Sequence, residues 1–139
     1  NGIDRVPEGG YGIELNADTA DNKNKKYYLY FNDSPDMASL IYNSGEAVLN
    51  SPIALTDNVF ISDISGIDES GIDVNEITQL NIIYYPPDPK ILMFYGGNSD
   101  NALREATVTL KLGDTKFIRK IRFNKLGLVS VDQKQEVEP

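Results

Sequence analysis

The sequence predicts an all-β domain, a β-sandwich-like head of two packed antiparallel sheets with about eight short strands and little or no helix. Three observations carry this. Ala106, Val108, Leu110 and Leu112 alternate with Thr107, Thr109 and Lys111, the period of two that buries one face of a strand and wets the other. Runs rich in β-branched and aromatic residues recur between clusters of Gly, Pro, Asn and Asp, as short strands recur between turns. No stretch carries the apolar period of an amphipathic helix.

The elements follow in order. Pro7-Glu8-Gly9-Gly10 is a turn, and Tyr11, Ile13 and Leu15 then share one face of a first strand. The polar run from Asn16 to Lys26 is a loop. Tyr27-Tyr28-Leu29-Tyr30-Phe31 is a second strand, dense in residues that pack on pleated surfaces. After a loop from Asn32 to Ser44, the segment from Glu46 to Leu55 holds Pro52 and reads as an edge or interrupted strand. Val59 to Ile64 is a short strand, Gly66 to Asn75 a polar loop, and Ile77 to Tyr85 a strand stopped by Pro86-Pro87-Asp88-Pro89, whose rings remove ladder donors. Lys90 to Tyr95 is a short apolar strand and Gly96 to Asn101 a turn-rich loop. Gly113-Asp114 offers a two-residue hairpin turn from Leu112 into Lys116 to Phe123. In that return strand Arg119 shares the parity of Phe117, Ile121 and Phe123, which predicts a bulge or an uncovered stretch of sheet. A third strand begins after Asn124-Lys125-Leu126-Gly127. The globular domain is placed at 1–131, and the polar tail 132–139 is expected to fray.

At 139 residues the chain suits one domain, large enough to bury roughly two thirds of its unfolded surface. Cysteine, histidine and tryptophan are absent. That removes disulfides, thiolate metal sites, the usual proton shuttle and the standard nucleophile–base pairs. Carboxylates, Lys, Tyr, Ser and Thr remain. Two carboxylates at a set separation suffice for a glycosidase, but no pair stands out, and the chain is expected not to be an enzyme. No apolar run approaches the ~20 residues that span a bilayer.

The formal charge of −8 hides a segregation. No Lys or Arg lies between Lys26 and Lys90, where Asp33, Asp36, Glu46, Asp57, Asp63, Asp68, Glu69, Asp73, Glu76 and Asp88 fall. In the hairpin, Lys111, Lys116, Arg119, Lys120, Arg122 and Lys125 are opposed within the segment only by Asp114. These six bases are the candidate interaction residues. Oppositely charged patches either serve as solvated faces or let copies dock head to tail, a contact that makes a filament when it does not close.

Tyr11-Gly12-Ile13-Glu14-Leu15 after Pro7-Glu8-Gly9-Gly10, followed by Tyr28-Leu29-Tyr30-Phe31-Asn32-Asp33, resembles the start of the globular domain in type IV pilin-like proteins, specifically the H-type minor pseudopilins. Asn43-Ser44-Gly45-Glu46, the strand and proline turn Ile82-Ile83-Tyr84-Tyr85-Pro86-Pro87-Asp88-Pro89, and Ala106 to Leu112 with Ile118 to Val129 continue the resemblance in order. It implies a non-enzymatic filament subunit of the bacterial cell envelope, extracytoplasmic, whose partners are other pilin or pseudopilin subunits in a pilus or type II secretion filament. In that family an apolar N-terminal helix supplies the membrane anchor; this sequence does not contain it, so the resemblance implies a head whose helix has been removed or, alternatively, a separate head subunit that borrows a helix from a partner chain. A short basic leader and an apolar helix are expected immediately upstream of Asn1.

Some related proteins carry a calcium loop where Asp33, Asp36, Asn43 and Glu46 stand here. Calcium wants six to eight closely spaced oxygens and a glycine at the sharp turn, whereas Pro35 occupies a would-be ligand position. The expectation is a solvated acidic loop and no cofactor, and the same holds for Asp68-Glu69 and Asp73 to Glu76. Tyr27, Tyr28, Tyr30, Tyr84 and Tyr85 are expected as half-buried cross-strand residues rather than the lining of a carbohydrate or peptide groove. Two alternatives accompany the filament reading. One is a minor pilin that binds DNA through the six bases, opposed by the acidic remainder of the chain. The other is a surface adhesin or ligand-binding module stiffened by an isopeptide bond from Lys116 or Lys120 to a buried Asn, whose formation releases ammonia and lowers the intact mass. With its helix absent, the head is expected to expose an apolar patch on one sheet.

Overall fold

A computed structural model describes residues 10–31, 52–85, 90–132 and 135–136. It is an antiparallel β structure with no long helix. The strands are β1 (Tyr11–Asn16), β2 (Lys26–Phe31), β3 (Ile53–Ala54), β4 (Val59–Asp68), β5 (Asp73–Val74), β6 (Gln79–Tyr85), β7 (Lys90–Tyr95), β8 (Ala102–Leu112), β9 (Phe117–Asn124), β10 (Val129–Val131) and β11 (Gln135–Glu136), with one 3-10 turn at Ala20–Lys25. Among the described residues no helix is long and apolar enough to cross a membrane.

The two packed layers are halves of one continuous sheet, ordered β10-β9-β8-β7-β6-β1-β2-β3. The fold line is the start of β8. Leu103 pairs with Met93 of β7 on one side and Asp68 of β4 on the other, while Ala106 pairs with Phe123 of β9 and Gly66 of β4. β8 thus leaves β7 after two residue pairs and takes β9 in its place. The first half is β3-β2-β1-β6-β7 and the second β5-β4-β8-β9-β10. They meet in one core: Ile61 and Ile64 from β4, Leu80 and Ile82 from β6, Met93 from β7, and Leu103 and Val108 from β8 are all buried together. Each such side chain contributes about 1.5–3 kcal/mol through removal from water.

Alternation explains that core and also its exceptions. Ile91 and Met93 of β7 face it, yet Leu92 and Phe94, of opposite parity, pack with Tyr30 and Ile83 in a second cluster on the other face. Tyr30, Ile83 and Phe94 are fully buried. A strand apolar at both parities is a strand covered on both sides. The exposed apolar patch expected on one sheet is therefore not on this face; the exposed large apolar residues include Leu126, Leu128, Val129 and Val131, at the far edge of the second half. Gly12 lies opposite Tyr30, and the Tyr30 ring occupies the space a Cβ on Gly12 would need.

Several boundaries differ from the sequence expectation. β4 runs on to Asp68, through Gly66, and β5 returns beside it, where a loop from Gly66 to Asn75 was expected. Gly66 serves close packing, not a turn: a Cβ there would lie 2.7 Å from the Glu105 carbonyl oxygen. Of the two outcomes expected for the return strand, a bulge or an uncovered stretch of sheet, the bulge is not found there; register shifts lie in β4, between Ile61 and Asp63 and after Ile67. The β8–β9 register is unbroken from Glu105↔Asn124 to Lys111↔Ile118. The turn joining these strands spans 113–116, four residues rather than two, because Phe117 is the first residue of β9. Gly113 takes φ +50° there and donates its N–H to the Asn58 carbonyl. Within the tail expected to fray, Gln135 and Glu136 pair with Ile118 and Phe117.

Candidate functional site

The β8–β9 hairpin divides its bases between two faces. Ala106, Val108, Leu110 and Leu112 face the core side, and their β9 partners are Phe123, Ile121, Arg119 and, by extension of the register, Phe117. Lys111, Lys120 and Arg122 stand on the opposite face, in the rows of Thr107 and Thr109. Arg119 is therefore a charge on the core side. It is tolerated because the hairpin outruns the core: Leu112 is 41% and Phe117 38% exposed, and Arg119 is exposed beside them. The sheet is uncovered there, one of the two outcomes its parity predicted.

The fold also brings acids to the bases that the local sequence lacked. Asp132 receives a hydrogen bond from Arg122 Nη2 on its carboxylate at 3.2 Å and one from Arg119 Nη1 on its carbonyl at 3.2 Å. Lys125 Nζ meets Glu69 Oε2, from the β4–β5 turn, at 2.8 Å. These ion pairs are exposed and each contributes about 0–1 kcal/mol. The six bases therefore do not form one uninterrupted positive surface. Lys111 and Arg119, with Val59, Leu110, Leu112, Phe117 and Ile118, line an apolar groove of about 350 Å³ at the turn end of the hairpin. A smaller, more polar pocket of about 230 Å³ lies between β4, β5, β8 and β9, lined by Ser65, Asp73, Glu105, Thr107 and Arg122 among others.

A partly buried polar network on the second face of the first half had no place in the sequence expectation. Gln79 Nε2 donates to Glu14 Oε1 and to Asn81 Oδ1, both at 3.0 Å, and Asn81 Nδ2 donates to the Tyr30 hydroxyl at 3.0 Å. Asn16 Nδ2 reaches Glu14 Oε2 at 3.5 Å. Burial pushes the Glu14 carboxyl above its usual range, against the lowering effect of Asn16, Asn81 and Lys23. The signal was present as parity: Glu14 and Asn16 pair with Asn81 and Gln79, so four polar side chains fall on one face of two adjacent strands. The network links β1, β2 and β6 and fixes their register. Its donors and acceptors are amides, a phenol and one carboxylate, an arrangement that holds strands and positions no nucleophile.

Asp33, Asp36, Asn43 and Glu46 lie outside the described residues. Among the described residues no group of three or more His, Cys, Asp and Glu is placed to hold a metal ion. In the second acidic loop Asp68 Oδ1 is occupied by the N–H groups of Ser70 and Ile72, at 2.8 and 2.9 Å. Tyr30 is fully buried, Tyr27, Tyr28 and Tyr84 are half-buried, and burial raises the Tyr84 hydroxyl pKa; these rings are cross-strand residues. The buried asparagines among the described residues are Asn16, Asn24 and Asn81, on β1, the 3-10 turn and β6. Lys116 and Lys120 lie in the β8–β9 hairpin, in the other half of the sheet.

Comparison with protein-family models, with characterised proteins and with solved structures gives no match.

Proposed function

We propose that this chain is a non-enzymatic contact module, the head of a filament subunit of the type IV pilin-like kind, close to the H-type minor pseudopilins. On this reading it works outside the cytoplasm of a bacterium, on subunits of a pilus or secretion filament. The observation that carries the contact reading is the end of the β8–β9 hairpin, where an apolar groove with Lys111 and Arg119 in its wall lies on sheet that the core leaves uncovered. An apolar centre with a charged rim is the anatomy of a protein–protein interface. The pilin identity is supported by the ordered resemblance of segments from Tyr11 to Val129 and by the all-β architecture.

The test is the N-terminus of the native protein. Reading the gene upstream of Asn1 and sequencing the mature protein from cells should reveal a short basic leader, removed, and an apolar helix, retained. A cleaved secretory peptide with no retained helix would falsify the pilin reading.

A further inference from the structure

We propose that the pocket between β4, β5, β8 and β9 is a saccharide site that takes a single sugar residue.

Strand register builds it. Ser65 pairs with Thr107 and Thr107 with Arg122, Gly66 with Val74 and Ala106 and Ala106 with Phe123, and Ile67 with Asp73 and Glu105. Asn75, one position beyond the last β5 pair, joins the row of Ser65. Three rows thus run side by side across four strands. The middle row turns inward: Ala106 is buried in the core, and Val74 and Phe123 pack against it. The rows on either side face the other way, one of Asn75, Ser65, Thr107 and Arg122 and one of Asp73, Ile67 and Glu105, and all of these line the pocket. The result is a trough on the outer face whose floor is the backbone of the middle row. Its walls stand roughly 7 Å apart, two residues along a strand, and run for about 14 Å across the four strands. The turn that Asp68 closes, with its carboxylate accepting the N–H of Ser70 and Ile72, returns the chain so that Asp73 and Asn75 complete both walls.

The polar side chains of the trough are not spent on structure. Elsewhere Glu14, Gln79 and Asn81 bond one another, and Asp68 and Asn124 close their own turns. Among the described residues, no hydrogen bond or ion pair engages the side chains of Ser65, Asp73, Asn75, Glu105 or Thr107. Their donors and acceptors border one volume open to solvent, so a matching ligand displaces water there without breaking a bond within the protein.

The two walls make different demands. Asp73 and Glu105 only accept hydrogen bonds, so the ligand must donate to that wall. Across from them Ser65, Thr107 and Asn75 both donate and accept, and Arg122 only donates. A set of hydroxyl groups meets both walls, because each hydroxyl donates on one side and accepts on the other. The C–H face of a sugar ring suits Ile67, which stands between the two carboxylates. Other classes fit less of the lining. An anion meets two carboxylates and one guanidinium that the Asp132 carboxylate already balances at 3.2 Å. A metal ion finds no group of three ligands among the described residues. An ammonium ion satisfies the carboxylates and leaves Ser65, Thr107 and Asn75 unused. The volume of about 230 Å³, below the ~300–1,000 Å³ of pockets for drug-sized ligands, limits the occupant to one sugar residue. The trough faces away from Leu110, Leu112 and Arg119 in the groove wall, so filling one site leaves the other open.

Backbone amide shifts of the 139-residue chain are to be followed as glucose, galactose, mannose or N-acetylglucosamine is added. An open polar site holds one sugar weakly, with a Kd on the order of 1 mM. At least one of these sugars should move the amides of 65–67, 73–75, 105–107 and 122–123 together and saturably. Asp73→Ala and Glu105→Ala should each weaken that binding by about tenfold, the effect of losing one charge-assisted hydrogen bond. Both residues are exposed, so urea midpoints should stay near wild type. Propylammonium, a cation without hydroxyls, should leave the same amides in place. Silence with every sugar, a response centred elsewhere, undiminished binding in both variants, or an equal response to propylammonium overturns the saccharide site. None of those outcomes touches the N-terminal test of the pilin reading, and a sugar bound in the trough stands whether or not a helix is retained.

Discussion

In the half built from β1, β2, β6 and β7 both faces carry buried side chains, Leu80 and Ile82 on one and Ile83 and Phe94 on the other. In the half built from β4, β8 and β9 the buried apolar side chains lie on one face; the other shows Asp63, Lys120 and Arg122 around a buried Thr109, and the end of the hairpin runs beyond the core. The same strand chemistry thus gives a doubly covered slab and a singly covered one. The main core draws on both halves, the second face of the first adds Tyr30, Ile83 and Phe94, and most of the exposed large apolar residues among the described ones belong to the second half.

The comparison breaks most readily at Phe94. Phe94→Ala empties a fully buried position on the second face and should cost about 3–5 kcal/mol in urea unfolding. A loss below 1 kcal/mol would mean that the second face contributes nothing. Tyr30→Phe removes the acceptor of Asn81 Nδ2 inside the same half and should cost about 1–3 kcal/mol, with Asn81→Leu in the Tyr30→Phe background recovering part of it.

A smaller effect sharpens the contrast through pH. Burial raises the Glu14 pKa above the ordinary 4.5, so the folded chain keeps its proton where the unfolded chain has released it. Stability from this group is full below the unfolded-state pKa and is lost as pH rises through the folded-state value. Glu14→Gln keeps an oxygen for Gln79 to bond and removes the titration. Urea midpoints on both sides of pH 4.5 should fall with rising pH more in wild type than in the variant. Parallel profiles would count against a buried carboxyl. At the bottom of the scale, Leu126→Ser, on a side chain 77% exposed in the second half, should change stability by no more than about 0.5 kcal/mol.

Most strands were legible because alternation acts locally: Tyr11, Ile13 and Leu15 mark β1, and Ala106 to Leu112 marks most of β8. What escaped depended on neighbours distant in sequence. Gly66 looks like a turn residue until Glu105 is placed against it. Ile61 and Ile64 both face the core although three residues apart, because the bulge after Ile61 resets the parity. The six bases were visible as a cluster, whereas Glu69 and Asp132, which neutralise two of them, arrive only through the β4–β5 turn and the return of the chain after β10. The groove was not legible at all, since Val59 and Phe117 become neighbours only when β4 and β9 flank β8.

β8 is hydrogen-bonded to three other strands, β4, β7 and β9. A chain severed at the turn 96–101 would give two fragments, the longer holding β4 without β8, its longer pairing partner, and the shorter holding β8 and β9 without β4 or β7. Neither piece could close a core alone, and folding would require them to find each other, so fragment complementation is the behaviour that one shared strand imposes on a molecule of two halves.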